Sequence, residues 1–368
     1  MPTIIKVKKI NSFFDSNYKI NFDKVSIYSN NIKTPKKILI IKWGGMGDII
    51  ISTAVINDLL NFFKKSKVDI NTMPSWKDIF HNDLRINRVW GFYFGRGIKK
   101  IFSIFKWITL VKKNKYDLII DLQTNDTSRL ILTCLRYIFF YKCSLIGNHE
   151  TFPYTIKNNR KTNLNSQPIH LLHKTIVALG IRPKTFSPKV FNNKQPSYIN
   201  KLFKLNNLIN NEFVVLIPGS SQKNKLKRWG AKNFTKLAKL IIDKNYKIIL
   251  VGGPEDVQEC NNIYNKNENI INLCNKIKLL DLLFIFRKSK LIVSNDTGPA
   301  HLVAATNTKM IQITGPTNPE IVKPYGKNII AIQSEIECKN CYKKKCDHHS
   351  CMKGITPEYM FSIIKEKI

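Results

Sequence analysis

Two hydrophobic rhythms alternate along most of the chain. Short apolar runs rich in β-branched residues, of the kind buried on both faces of a sheet, are followed by glycine turns. Behind the turns come stretches whose apolar residues recur every three or four positions. KKILIIKW is the first such run, GGMGD its turn and IIISTAVINDLLNFFKKS the amphipathic helix behind it. VDINTMP, RVWGFYF and YDLIIDLQ read as further strands, separated by the Trp76–His81 segment and the helix IKKIFSIFKWITLVKKN. A polar stretch at 191–211, FNNKQPSYINKLFKLNNLINN, reads as a linker carrying a helix. The rhythm then restarts with FVVLIPGS, AKNFTKLAKLIIDKN, YKIILVGGPED, IINLCN, KLLDLLFIFRKS, LIVSNDTG, HLVAATN and KMIQITGPT. Strands alternating with helices form parallel sheets with crossover helices, so the fold class is α/β, with two doubly wound Rossmann-like domains. The expected divisions are a polar leader over 1–35 with weak strand character at VSIYS, an N-terminal domain over 36–195 and a C-terminal domain over 196–330. A Cys-rich tail over 331–368 is expected to end in a helix, TPEYMFSIIKEKI, packing back across the junction.

Composition changes this picture in one respect. A chain of 368 residues with 43% apolar and 23% charged residues has the make-up of a soluble globular protein with room for two cores. Its formal charge of +35 calls for an anionic partner, either a nucleic acid or an acidic membrane surface. Only nine arginines contribute, however, and an AT-rich coding sequence writes lysine, asparagine and isoleucine onto any surface. With no zinc-finger or RRM pattern, no specific nucleic acid is expected. The opening residues lack the continuous apolar core of a secretory signal. LILTCLRYIFFYKCSLIG, Leu130–Gly147, is interrupted by Arg136 and Lys142 and reads as a buried helix running into a strand rather than a membrane span. The expected location is cytoplasmic, with a peripheral position on the inner face of the cytoplasmic membrane as the option the charge raises.

The chemistry gathers in the turns. SNDTGPAH joins an apolar strand to an apolar helix: Pro299 suits the first helical position, Asp296 or Thr297 would cap it, and Gly298 allows the sharp turn. IPGSSQKNKLKRW, LVGGPED and ITGPTNP also follow β-runs, and in a parallel sheet all four turns emerge at one edge. Helix N-termini there favour phosphate, Ser220, Ser221, Thr297 and Thr317 add hydroxyls, and Lys227 and Arg228 add charge. The combination points to a diphosphate, and G-x-x-x-x-G-K-[ST] is not present. KWGGMGDII in the first domain is not a G-x-G-x-x-G fingerprint. Its Gly44, Gly45 and Gly47 permit a tight turn, and Asp48 reads either as an N-cap carboxylate or as a general base at the mouth of the inter-domain cleft.

In this order and spacing, KWGGMGDII, PGSSQKNKLKRW, GGPED, SNDTGPAH and GPTNPE resemble the ADP-heptose:lipopolysaccharide heptosyltransferases, glycosyltransferase family 9, from about Lys37 to Pro357. The resemblance implies a GT-B architecture with the active site between two domains. It also implies metal-independent, inverting transfer of heptose from ADP-heptose to a lipid A-linked inner-core acceptor, with no cofactor required for catalysis. Carried over, Asp48 becomes the general base, and Lys227 the lysine that neutralises the leaving diphosphate, with Lys225 and Lys223 as alternatives in the same loop. Ser220 and Ser221 touch the donor phosphates, and Asp296, Thr297 and Gly298 hold sugar and phosphate. His301 faces the same pocket, and Glu255 reaches the donor's nucleoside or sugar. Other readings are another nucleotide sugar or acceptor, a nucleotide-sugar epimerase or hydrolase, and a basic nucleic-acid or membrane-binding protein.

Two features lie outside that assignment. Cys338, Cys341, Cys346 and Cys351, spaced C-x2-C-x4-C-x4-C, suggest a structural knuckle for zinc or another metal, with unliganded thiols and redox use as the other readings. IKKIFSIFKWITLVKKNK reads first as a core helix with a solvated lysine face. The sharper reading rests it on anionic lipid.

Overall fold

The computed structural model describes residues 6–10, 34–123, 125–147, 149, 152–156, 167–192, 194–265 and 267–368. The chain divides into two compact units, Asp15–Phe191 and Asn192–Ile368, the latter joined by Met1–Phe14. The expected leader therefore has a structural role at its start. Its strand β1 (Lys6–Ile10) adds antiparallel to the edge of the second unit's sheet, while VSIYS lies outside the described residues.

The first unit holds β2 (Lys37–Ile41), β3 (Lys67–Thr72), β4 (Arg88–Gly91), β5 (Leu118–Asp121) and β6 (Ser144–Ile146). They form one parallel sheet in the order β4-β3-β2-β5-β6. Ile38, Leu39, Ile40 and Ile41 are fully buried, as a central strand covered by helices on both faces must be. The second unit holds β7 (Phe213–Ile217), β8 (Lys247–Leu250), β9 (Ile270–Asn272), β10 (Leu291–Asn295), β11 (Met310–Thr314) and β12 (Ile329–Glu335), in the order β1-β12-β11-β10-β7-β8-β9. In each sheet the chain winds outward in one direction and then returns to wind in the other. The reversals fall between β2 and β5 and between β7 and β10, and the crevice at such a switch point is where open α/β sheets bind ligands.

The C-terminal helix Pro357–Lys365 starts where its sequence says it should. Thr356 Oγ1 accepts from the Tyr359 amide, and Pro357 takes the first position, where no amide is needed. It buries Met360, Ile363 and Ile364 in one core with Phe234, Leu237 and Ile241 of the helix Ala231–Ile242. At about 1.5–3 kcal/mol per buried side chain, this packing ties the tail to the second unit's own core.

Two stretches differ from expectation. The helix Ile98–Asn114 buries Trp107, Ile108 and Val111, but its first half leaves Ile98, Ile101, Phe102 and Phe105 exposed. The apolar stretch 130–147 breaks into the end of a helix, a π-helical turn Cys134–Ile138 and β6, exposing Leu130, Tyr137, Ile138 and Phe140. Helical spacing made these positions look like a core face, but no described element covers them. Among the described residues no helix is long and apolar enough to cross a membrane.

Candidate functional site

The second unit brings together three residues from three turns. Lys227 Nζ stands 2.7 Å from Asp296 Oδ2, and Thr317 Oγ1 donates to the same oxygen at 2.8 Å. Lys227 closes the loop after β7, Asp296 follows β10 and Thr317 follows β11, so the cluster sits at the switch point. Asp296 is buried and Lys227 half-buried, a setting in which an ion pair is screened less than at the surface. Lys225 is exposed, so the loop's register turns Lys227 inward. A cavity of about 270 Å³ opens beside the cluster, lined by Asn224, Leu226, Lys227, Pro316, Thr317, Val322, Tyr342, Lys343 and Lys344.

Arg228 is engaged elsewhere. Its guanidinium spans Glu259 Oε2 at 2.5 Å and Asp256 Oδ1 at 2.6 Å, and donates to the Ser220 carbonyl at 2.7 Å. Asp256 also accepts from the Gly253 amide, and burial pushes both carboxyls above their ordinary range while Arg228 opposes the shift. Arg228 thus clamps the turn after β7 to the turn after β8. Gly219 is needed for that clamp, because a Cβ there would lie 2.1 Å from the Asp256 carboxylate. Ser220 is buried and donates to the Asn224 carbonyl at 3.1 Å, whereas Ser221 is exposed and accepts from Asn224 Nδ2. Glu255 is exposed beside Gly253.

The SNDTGPAH turn is built differently from the expected cap. Its helix is short, Ala300–Val303, with Pro299 at the N-cap position and no side-chain cap. Asp296 serves Lys227 and Thr317 instead, and Thr297 and Gly298 close the turn through their carbonyls, which accept from the Ala300 and His301 amides. His301 is half-buried in the first turn. Two side chains that sequence reasoning passed over hold the turns in place. Asn295 Nδ2 donates to the Pro218 carbonyl and Asn295 Oδ1 accepts from the Trp229 amide, while Trp229 Nε1 donates to the Ile355 carbonyl. Asn295 reads in sequence as part of the turn, but it is the last residue of β10, and the pairing of β7 with β10 makes it a bracket.

In the first unit, Asp48 lies in the first turn of the helix Met46–Phe62, whose N-cap is Gly45. No side-chain cap bond forms, so of the two readings of Asp48 the capping one is not realised. The carboxylate is exposed and folds back over Gly44, where a Cβ would lie 3.0 Å from its Oδ2; Gly45 leaves more room. Gly47 sits within the helix. Behind Asp48 lies buried Lys42, which donates to the Leu122 carbonyl at 2.9 Å. Burial lowers its pKa, and the carboxylates of Asp48 and Asp121 oppose that shift. Asp121, at the end of β5, accepts from Tyr154, Ser128 and the Gln123 amide. In sequence KW and DLQ are only strand ends; pairing of β2 with β5 joins them into one polar base under Asp48.

The zinc expectation for Cys338, Cys341, Cys346 and Cys351 finds no support in the arrangement of these side chains. These residues line one cavity of about 20 Å³ with His348 and His349, but so do Leu226, Pro316 and the cationic Lys343. Among the described residues no three His, Cys, Asp or Glu side chains are arranged to hold a metal ion, and the eight cysteines are free thiols. Burial first, and then the neighbouring cysteines, push the Cys351 thiol up to about 11, which keeps it protonated at neutral pH.

Comparison with known proteins places this geometry. Residues 104–351 match the model of glycosyltransferase family 9 (heptosyltransferase). The lipooligosaccharide heptosyltransferase 2 of Campylobacter jejuni serotype O:6 is 33% identical over 159 residues, 41% of this chain and 50% of that protein. The chain thus spans about half the length of the first curated relatives it matches. The fold is that of E. coli ADP-heptose LPS heptosyltransferase II, with TM-score 0.70, 20% identity and coverage of 90% of this chain and 98% of that one. E. coli heptosyltransferase WaaC, solved with ADP, superposes with TM-score 0.67 at 19% identity, covering 90% and 100%.

Proposed function

From the premise that the chain belongs to glycosyltransferase family 9, the heptosyltransferases, we propose that it transfers a heptose from ADP-heptose to a lipid A-linked inner-core acceptor with inversion. The observation that carries the donor half is the Lys227–Asp296–Thr317 cluster beside a cavity at the switch point. A lysine ammonium has three donors; Asp296 takes one, leaving two for phosphate oxygens. Both described bonds to Asp296 end on Oδ2, and its Oδ1 suits a sugar hydroxyl. Ser220, Ser221, Thr297, Gly298, His301 and Glu255 surround the donor in this reading, and Arg228 positions the loop that carries Lys227.

The acceptor hydroxyl attacks the anomeric carbon from the side opposite the diphosphate. Its proton passes to Asp48, the bond from the anomeric carbon to the diphosphate oxygen breaks, and ADP departs with the electron pair. Lys227 meets the charge that develops, so the step draws on no cofactor. Calorimetric titration with ADP, UDP and GDP tests the donor. ADP is expected to bind selectively to the wild type and to lose measurable binding in Asp296→Ala. No nucleotide binding, or a preference for UDP, overturns the ADP-heptose reading.

A lipid-linked acceptor also suits the surface of the first unit. Ile98, Ile101, Phe102 and Phe105 are exposed beside Tyr137, Ile138 and Phe140, the two groups joined by the Phe105–Phe139 ring contact. Lys99, Lys100, Lys106, Lys112, Lys113 and Arg136 surround them, and no acidic residue occurs from 98 to 116 or from 127 to 149. Apolar side chains ringed by cations match an anionic bilayer surface, at which the protein would sit peripherally on the cytoplasmic side. Vesicles containing anionic lipid should retain the wild type in flotation and release the variant carrying Lys99→Glu, Lys100→Glu and Lys112→Glu. Equal retention of both removes the membrane from this proposal.

A further inference from the structure

The Cys-rich loop, read from sequence as a tail feature, forms a wall of the same cavity as the donor cluster. Tyr342, Lys343 and Lys344 line it together with Lys227 and Thr317. The loop is anchored on both sides of that cavity. The Tyr342 amide donates to the Pro316 carbonyl at 2.9 Å, and Tyr342 Oη accepts from the Asn318 amide at 3.2 Å. Gln333 Nε2 donates to the Gly315 and Thr317 carbonyls and to Asn340 Oδ1, coupling the turn after β11 to the loop. On the other side His349 Nε2 bonds the Leu226 carbonyl at 2.7 Å, next to Lys227 in sequence. Asn340, Tyr342 and His349 all hold left-handed backbone angles, with φ of 61°, 53° and 50°. For a side chain as large as tyrosine that conformation persists only where surrounding contacts over-determine it. The small thiol-lined cavity lies behind the same wall, sharing Leu226, Pro316 and Lys343 with the larger one.

Charge completes the argument. Three lysines from two chain segments face the cavity, and among the described residues the one carboxylate bonded to them is Asp296, already paired with Lys227. The excess of positive charge calls for an anion carrying more than one charge. We infer that Lys343 and Lys344 form, with Lys227, a subsite for a diphosphate group, held in place by the Cys-rich loop. That the diphosphate belongs to a nucleotide rests on the proposed function; the subsite itself does not.

The test titrates ADP, inorganic pyrophosphate and adenosine into the full chain and into the double variant Lys343→Gln, Lys344→Gln. Thermal melts of both confirm equal folding. Loss of two charge-assisted hydrogen bonds is expected to weaken ADP and pyrophosphate by roughly 10–100-fold. Adenosine, which has no phosphate, should bind the two proteins alike, and Lys343→Arg with Lys344→Arg should keep most of the affinity. Should wild type bind pyrophosphate but not ADP, with the double variant weakened, the subsite stands and the nucleotide reading falls. Unchanged ADP and pyrophosphate binding in the folded double variant overturns the inference, as does a wild type that binds neither.

Discussion

Replacing Asp48 with Asn is expected to lower kcat by about 10²–10⁴-fold while leaving ADP affinity and the melting temperature almost unchanged. The expectation rests on where the residue stands. Asp48 is exposed, makes no capping hydrogen bond and occupies a turn where Gly44 leaves it room, so its removal disturbs no packing. Its contributions to the fold are a carboxylate near a helix N-terminus, worth about 0.3–1 kcal/mol when solvated, and electrostatic support for the buried Lys42 cation. A residue so lightly used by the fold, yet backed by buried Lys42 and Asp121, is available for proton transfer. Asparagine keeps the shape and cannot take the proton. Single-turnover rates at saturating donor, measured beside ADP titrations, separate the alternatives. Lost ADP binding in a normally folded variant would contradict the assignment, and so would a rate within a few-fold of wild type.

The second large effect belongs to Lys227. Lys227→Ala should reduce kcat by about 10²–10³-fold, because a preorganised donor aimed at developing charge on the leaving group is removed. It should also weaken ADP and cost about 1–3 kcal/mol of stability. That last cost arises because Asp296, buried and bonded also to Thr317, is left without its cation. The two effects can be separated. Adding Asp296→Asn to Lys227→Ala removes the uncompensated carboxylate and should restore most of the lost stability. It should not restore the rate. Recovery of both would mean that Lys227 acts only through the fold, and wild-type turnover in the single variant would remove it from the chemistry altogether.

The turns were the most legible part of this protein. Glycine, proline and short hydroxylated residues between an apolar strand and a helix have few structural solutions, so SNDTGPAH and GPTNP are legible as tight turns at strand ends without any coordinates. What each side chain does within its loop was less legible. Lys227 and Arg228 are adjacent and equally basic in sequence. The structure sends the first to Asp296 and the second to Asp256 and Glu259, because the end of the 3-10 turn at Lys227 points successive side chains in different directions. Asp296 looked like a cap and is instead one pole of an ion pair.

Sequence by itself determined the α/β class, the two Rossmann-like halves and the order of the glycine-rich turns, because these follow from local periodicity and turn chemistry. It also carried the family, through motifs whose residues lie close along the chain. Tertiary structure alone decided which residues from distant turns meet: Asn295 with Pro218 and Trp229, and Lys42 with the end of β5. It alone put Lys343 and Lys344 on the cavity beside Lys227 and Thr317 and left the apolar stripe of the helix Ile98–Asn114 uncovered by any described element. The reason is physical. Periodicity reports which face of an element is apolar, but whether that face meets a neighbour or solvent depends on which elements the sheet order brings beside it. No local signal records that order.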